Sequence, residues 1–170
     1  QALKNITIPL DINVIDPSKK SLDIAKQRYD SIKIIDNNNV SYYESINDVD
    51  SLSIVDLVII ATASNVRFQA TIQLLNKFSV KTIIFEKILF NNPKDYSKIH
   101  KLLKSKNVSA YVNCPMRMMS FYKDIKTSFE GSRFKYIVSG SQYGLVTNLI
   151  HYLDHISYLN QNSEYTSDTN

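Results

Sequence analysis

The chain has 170 residues, 44% hydrophobic and 21% charged, which is typical of a folded globular protein. Its net charge of +4 comes from 20 basic and 16 acidic residues that are spread along the chain, which argues against a nucleic-acid-binding surface. A single cysteine, Cys114, excludes an internal disulfide, and the longest apolar run is too short to cross a membrane, so we expect a cytoplasmic protein.

Alternating apolar runs and amphipathic segments predict strands and helices in turn. In chain order they are a strand at Leu10–Ile15, a helix at Pro17–Tyr29, a strand at Ile32–Ile35, a short helix or loop at Tyr42–Leu52, a strand at Val55–Ala61, a helix at Asn65–Phe78, a strand at Val80–Phe85, a helix at Pro93–Lys106 and a strand at Val108–Val112. The continuous apolar run of Val55–Ala61 favours a parallel strand that is covered on both faces. This order predicts an α/β fold with a parallel sheet.

The pattern changes after Cys114-Pro115. A methionine-rich helical stretch, Met116–Phe129, precedes an alternating segment, Arg133–Tyr143, and a final apolar helix, Val146–Leu159. We interpret these elements as the start of a second, α+β domain and place the boundary near residue 114.

Glycine is rare in this chain. Only Gly131, Gly140 and Gly144 are present, where average usage of about 7% would give a dozen. The first 130 residues therefore contain no glycine-rich turn of the kind that holds a phosphate.

Asp16 stands at the end of the first predicted strand. In dinucleotide-binding folds an acid at this place binds the ribose hydroxyls, about 20 residues after a glycine-rich loop. An aspartate before Pro17 is also a good helix cap, and the two roles are compatible.

Polar residues follow two later strands. Glu86-Lys87 comes directly after Val80–Phe85, at the sheet edge where α/β folds bind ligands. A lysine there can hold a substrate hydroxyl and assist its loss of a proton, although a solvated loop lysine is the more common outcome. The small residues of Ala61–Asn65 would let a ligand approach a helix N-terminus, or would simply cap that helix.

His151 and Asp154 share one face of the last predicted helix, and Thr147 lies one turn earlier. A neutral imidazole in this place can act as an acid or base, whereas a histidine satisfied by structural hydrogen bonds is the ordinary alternative. His151, His155, His100 and Cys114 do not have metal-ligand spacing, so we predict no metal site.

The order of these motifs resembles that of the Gfo/Idh/MocA family of oxidoreductases, named for glucose–fructose oxidoreductase and inositol dehydrogenase. Four segments carry the resemblance: VDLVIIATASNVRFQATIQLL, IIFEKILF, YVNCPMRMMSFYKDIK and GLVTNLIHYLDHISYL. The resemblance implies a Rossmann domain at residues 1–113, without its first strand and glycine loop, and the beginning of a substrate and oligomerisation domain at residues 114–170.

The resemblance also implies roles for individual residues. Lys87 and His151 would be catalytic. The residues along the cofactor would be Asp16, Ala61, Thr62, Asn65 and Glu86. The residues on the substrate side would be Arg117, Thr147, Asn148 and Asp154. The cofactor would be NAD, since an acid at position 16 would repel the 2′-phosphate of NADP, which is the second possibility.

Two positions depart from the family pattern. The proline that follows the family's Glu-Lys pair is Ile88 here, and the aspartate that many members have four residues before the histidine is Thr147. A threonine hydroxyl binds a substrate by hydrogen bonds but is not a base at neutral pH. The second departure suggests a subgroup that acts on nucleotide-linked or surface-polysaccharide sugars.

We therefore expect an enzyme that transfers a hydride between a nicotinamide and a hydroxyl or keto carbon of a sugar, within a homo-oligomer. We expect these 170 residues alone to bind NAD weakly, because they lack a glycine turn for the pyrophosphate. The alternative is a non-catalytic relative that acts as a folded self-association or interaction module. A methyltransferase with a similar sheet is disfavoured, because Glu86-Lys87 and His151 would have no role in it.

Overall fold

The computed structural model describes residues 2–33, 37–50, 54–129, 132–142, 144–164 and 166. The strands β1 to β5 are Asp11–Ile15, Asn39–Tyr43, Val55–Ile60, Val80–Phe85 and Ser109–Val112. The helices α1 to α5 are Lys19–Asp30, Ser64–Lys77, Pro93–Ser105, Ser120–Phe129 and Leu145–Asn160. Short 3₁₀ turns lie at Ala2–Asn5, Ile46–Asp48 and Pro115–Met118.

Contacts divide the chain into two compact units. The first comprises Gln1–Ile54 and Gln73–Ser79, and the second comprises Val55–Ile72 and Val80–Asn170. In the first unit β1 and β2 form a two-stranded parallel sheet. Helix α1 begins at Lys19 because Ser18 caps it: the Ser18 side chain accepts a hydrogen bond from the Ser21 amide at 3.3 Å.

The second unit is built on a three-stranded parallel sheet in the order β3-β4-β5. The central strand carries most of the core, where Ile83 and Phe85 are buried. Phe90, just after β4, packs edge-on against the rings of Phe85 and Phe68. Helix α3 then starts at Pro93, because Asn92 caps it and proline suits the first helical position.

These features confirm the predicted α/β fold with parallel sheets. Strand β4 begins and ends at the predicted residues, and β1, β3 and β5 lie within one residue of their predicted bounds at each end. The helices α2, α3 and α5 agree equally well, while α1 starts two residues later than predicted because Ser18 is its cap. The two units do not test the predicted domain boundary near residue 114, which stays a prediction.

One strand prediction was wrong. Ile32 and Lys33 lie outside any strand, and residues 34–36 lie outside the described ranges. The partner of β1 is instead Asn39–Tyr43, whose last two residues were predicted to begin a short helix or loop. Val40, Tyr42 and Tyr43 favour a strand, but Asn39 and Ser41 interrupt the apolar pattern. The position of the strand depends on parallel pairing with a strand 28 residues earlier, Asp11 lying opposite Asn39.

Two further expectations differ from the structure. Leu57 and Ile59 are about half exposed, so β3 is not covered on both faces by the described residues. The alternating segment contains no strand between residues 132 and 142, and Tyr143 lies outside the described ranges. Alternation of apolar and polar residues does not by itself make a strand, because a strand also needs a neighbouring strand to hydrogen-bond with.

Candidate functional site

The carboxyl ends of β3, β4 and β5 meet at one edge of the three-stranded sheet. Thr62 follows β3, Glu86-Lys87 follows β4, and Asn113 follows β5. Backbone hydrogen bonds extend the pairing past the strands, from the Glu86 amide to the Ile60 carbonyl at 3.0 Å and from the Asn113 amide to the Phe85 carbonyl at 2.8 Å. The structure thus brings Thr62, Glu86 and Lys87 together at the edge where α/β folds bind ligands.

Lys87 extends from this edge to the first turn of α5. Its Nζ donates to the backbone oxygen of Thr147 at 2.7 Å and to Oδ1 of Asn148 at 3.3 Å. These partners are 60 and 61 residues away in sequence. The peptide bond between Lys87 and Ile88, where the resembling family has proline, is cis.

His151 lies one turn after Thr147 on α5, immediately beyond the turn that receives the Lys87 ammonium. Its Nδ1 is buried and has no hydrogen-bond partner in the described part of the chain. The Thr147 hydroxyl donates to the Gly144 carbonyl at 2.9 Å, within its own helix turn. The structure therefore brings the end of Lys87 to Thr147 and Asn148, and His151 follows one turn later on the same helix.

Arg117 and Asp154 form a bidentate ion pair. Arg117 Nε donates to Asp154 Oδ2 at 2.9 Å, and its Nη2 donates to Oδ1 of the same carboxylate. The hydrogen bond to Asp154 raises the pKa of Arg117 above its ordinary value. Both residues were predicted for the substrate side, and the structure adds that each neutralises the other.

Glu86 turns towards the third strand of the edge. Its carboxylate accepts a hydrogen bond from the side-chain amide of Asn113. This contact ties the residue before Lys87 to the end of β5. Ala61 and Asn65, which were predicted along the cofactor, are exposed beside Thr62.

Arg67 was missed by the sequence analysis. Its side chain is only 3% exposed and its guanidinium donates to backbone carbonyls of the loops that follow β3 and β4. Burial lowers the pKa of Arg67, and the nearby charge of Glu86 acts in the opposite direction. The signal in the sequence was an arginine between Val66 and Phe68, in a helix that has few other charges.

His155 received no predicted role, and it is 2% exposed. Its Nδ1 shares a hydrogen bond with the Tyr136 hydroxyl at 3.0 Å, and its ring packs edge-on against Tyr122. Burial lowers the pKa of His155 and favours the neutral ring. Burial likewise raises the pKa of the Cys114 thiol, which disfavours a reactive thiolate.

Asp16 belongs to the first unit, at the carboxyl end of β1. Its amide donates to the Tyr43 carbonyl at 3.1 Å, and its Oδ1 accepts from the Ser18 amide at 2.8 Å. Within the described part of the chain no donor reaches Oδ2. An open depression of about 580 Å³ lies between α1 and the end of β2, with Lys19 and Lys26 on its wall.

The described ranges contain neither a candidate metal site nor a candidate membrane-spanning helix. Across the described ranges, no cluster of three or more His, Cys, Asp or Glu side chains could hold a metal ion. None of the helices in those ranges is both long and apolar enough to cross a membrane.

A sequence profile described as an oxidoreductase family with an NAD-binding Rossmann fold matches residues 13–114. No curated protein matches the chain. The solved structures that resemble it share so little sequence that they show the fold alone.

Three of these structures illustrate the similarity. The WlbA dehydrogenase from Bordetella pertussis, in complex with NADH and UDP-GlcNAcA, has a TM-score of 0.64 at 13% identity, with 91% of this chain and 58% of that chain covered. An NAD-binding protein from Listeria innocua has a TM-score of 0.58 at 20% identity, with 91% and 55% covered. A super-repressor mutant of Gal80p from Saccharomyces cerevisiae has a TM-score of 0.62 at 15% identity, with 91% and 53% covered. The chain thus spans little more than half the length of these structures.

Proposed function

Because the chain belongs to the Gfo/Idh/MocA family of oxidoreductases, whose Rossmann fold binds NAD, we propose that it takes part in hydride transfer between NAD and a sugar. The reacting carbon would bear a hydroxyl or keto group, on a free or nucleotide-linked sugar. The observation that carries the proposal is the reach of Lys87 from the sheet edge to the turn of α5 that precedes His151. The complex of the WlbA dehydrogenase with UDP-GlcNAcA supports a nucleotide-linked sugar as the first class to test.

The described residues fit a nicotinamide dinucleotide in two respects. Asp16 stands at the carboxyl end of β1 with Oδ2 open to ribose hydroxyls, and Ala61, Thr62 and Asn65 leave the backbone after β3 accessible. Glu86 would line the same edge. NAD is the cofactor that we assign, with NADP as the second possibility, and when bound it supplies the carbon that accepts or donates the hydride.

The proton steps fall to Lys87 and His151. An ammonium group has three donors, of which Lys87 uses two on α5, so the third can bind the substrate oxygen as it gains or loses a proton. His151 would take up or return that proton. Because its Nδ1 is buried, Nε2 is the atom that we assign to this step.

The neighbouring polar groups would orient the sugar. Asn148 holds the Lys87 ammonium through Oδ1 and would thereby fix the direction from which the sugar approaches. Thr147 would contribute its hydroxyl oxygen as an acceptor. Arg117 and Asp154, being paired, would form a rigid wall of the substrate site rather than a free charge.

Replacing Lys87 tests this assignment. In the intact protein Lys87→Met should lower turnover by about 10²- to 10⁴-fold, the usual contribution of a positioned acid or base. Lys81→Met is the matched control, since Lys81 is an exposed lysine at the start of β4 that pairs with exposed Asp56. A screen of sugars and nucleotide-linked sugars, followed by NADH absorbance, supplies the substrate. Unchanged turnover of Lys87→Met would reject the catalytic role.

A non-catalytic interaction module is the second candidate. It is favoured by the exposure of large apolar side chains in residues 115–164 and by the similarity to a super-repressor. The exposed side chains include Met118, Phe121 and Ile137. Sedimentation of the intact protein and of Phe121→Lys would test self-association through this region: a smaller species in the variant favours it, and equal sizes reject it.

The remaining assignments are also proposals. They are a Rossmann domain at residues 1–113, a second domain from residue 114, a homo-oligomer and a cytoplasmic location. We also propose that the protein binds a sugar substrate and that it binds neither nucleic acid nor membranes.

A further inference from the structure

Arg67 is a buried cation that forms no salt bridge with any described carboxylate. It lies in the first turns of α2, and only 3% of it is exposed. Burying a charge is costly unless it finds strong partners. Such a residue is therefore expected to make hydrogen bonds that the fold depends on.

The partners of Arg67 are backbone carbonyls of two loops. Nη1 donates to the carbonyls of Glu86 at 2.7 Å and Leu89 at 3.1 Å, and also to that of Ile88. Nη2 donates to the carbonyl of Thr62 in the loop after β3. One planar guanidinium thus joins the ends of two neighbouring strands.

The residues that Arg67 holds stand on both sides of Lys87. Glu86 precedes it, and Ile88 and Leu89 follow it, so the backbone is fixed immediately before and after the lysine. The Lys87 side chain is then free to leave the sheet edge and reach α5. Where its Nζ lies is set by where this backbone is held.

We propose that Arg67 is a positioning residue, which places the Lys87 ammonium at the first turn of α5 by clamping the loop that carries it. Its functional meaning rests on the proposed role of Lys87. A lysine could not replace it, because a single ammonium cannot present the flat fork of donors that reaches both loops. The competing explanation is that Arg67 only stabilises the second unit as a whole.

Chemical labelling of Lys87 separates these explanations without a substrate. The full chain is acetylated with a limiting amount of acetic anhydride, and mass spectrometry gives the rate at each lysine relative to exposed Lys81 and Lys98. In Arg67→Gln and Arg67→Lys the relative rate at Lys87 should rise about threefold to tenfold, because the ammonium is no longer held against its two acceptors.

Ile99→Ala is the control for general destabilisation. Ile99 is buried on α3 and takes no part in the loop contacts, so its truncation should weaken the unit and leave the relative rate at Lys87 unchanged. The proposal is overturned if the folded Arg67 variants label like the unmodified protein. It is equally overturned if Ile99→Ala raises the rate at Lys87 as much as they do.

If neither Arg67 variant folds, the unmodified protein decides the matter. Nitrogen-15 NMR of the Arg67 side chain and acetylation of Lys87 are followed in urea below the unfolding transition. Loss of protection at both groups together supports the coupling, whereas release of Lys87 while Arg67 stays protected overturns it. The two proposals can fail separately. If the Arg67 variants raise the labelling rate at Lys87 but Lys87→Met keeps full turnover, the positioning role of Arg67 stands and the catalytic role of Lys87 is rejected.

Discussion

Two regions of the second compact unit, residues 55–72 with 80–113 and the helical residues 115–164, are built differently. In the first region apolar side chains enter a core around β4, and the loops at the sheet edge are held by Arg67 and Asn113. In the second, His155 and Leu159 are the only described residues that are buried, and many large apolar side chains are exposed. The sheet edge is therefore ordered by its own contacts, whereas the helical region is left with unfilled apolar surface.

The largest expected effect separates the two regions by their packing. Ile83→Ala removes a fully buried side chain from β4 and should lower the free energy of unfolding by about 2–5 kcal/mol. Ile137→Ala acts on a side chain that is 71% exposed, and its effect should stay within about 0.5 kcal/mol. Urea unfolding measures both. A large loss in Ile137→Ala would mean that the second region is packed more tightly than its exposure indicates.

The next effect concerns the entry to α5. Gly144 has φ 62°, and a Cβ there would lie 2.8 Å from the Thr147 hydroxyl oxygen. Gly144→Ala should therefore lower the free energy of unfolding by about 1–2 kcal/mol. Gly140→Ala is the matched control, because Gly140 has no positive φ and should change stability by no more than about 0.5 kcal/mol. Equal losses of unfolding free energy in Gly144→Ala and Gly140→Ala would contradict a left-handed backbone conformation at Gly144.

A smaller effect is expected for the ion pair within the helical region. Since Arg117 is partly exposed, its coupling with Asp154 should be about 0.5–1 kcal/mol in a double-mutant cycle of Arg117→Gln and Asp154→Asn, each of which removes one charge. Thermal unfolding at low and high salt measures it. A coupling that is absent at both salt concentrations would show that the pair does not fix the wall of the substrate site.

The smallest effect is the pH dependence contributed by His155. Burial lowers its pKa in the folded protein, so the unfolded chain binds more protons as the pH falls below about 6.5, and stability is lost in that direction. His155→Gln should reduce this loss of melting temperature between pH 7.5 and 5.5. His100→Gln, at an exposed position of α3, is the control and should leave the loss of melting temperature unchanged. If the unmodified protein, His155→Gln and His100→Gln all lost the same melting temperature between pH 7.5 and 5.5, His155 would not be the source of the pH dependence.

The comparison also shows what sequence patterns could predict. Strand β4 was found exactly, because its apolar run is buried and is followed by charged residues at the sheet edge. Strand β2 was missed although Val40, Tyr42 and Tyr43 favour a strand, because polar residues break up its apolar pattern and its partner β1 is distant in sequence. Residues 133–142 alternate as a strand would, but they form no strand, because they are not paired with another described strand.

The same distinction applies to the candidate site. Lys87 and His151 were predicted from residue type and position, and Asn148 from the family resemblance alone; the structure brings Lys87 to the turn where Asn148 lies. Arg67 could not be predicted in its observed role, because its partners are carbonyl oxygens that every residue possesses. The pairing of Arg117 with Asp154 depends on two helical segments meeting, which local periodicity does not encode.

The clamp made by Arg67 depends on the course of the main chain and not on which side chains the loop carries. Ile88 and Leu89 contribute only their carbonyl oxygens to it, and any amino acid can supply those. The loop is thus able to accumulate substitutions while the arginine is not, as the isoleucine in place of the family's proline illustrates. In a saturation library of the intact protein, tolerance should be broad at positions 88 and 89 and narrow at position 67.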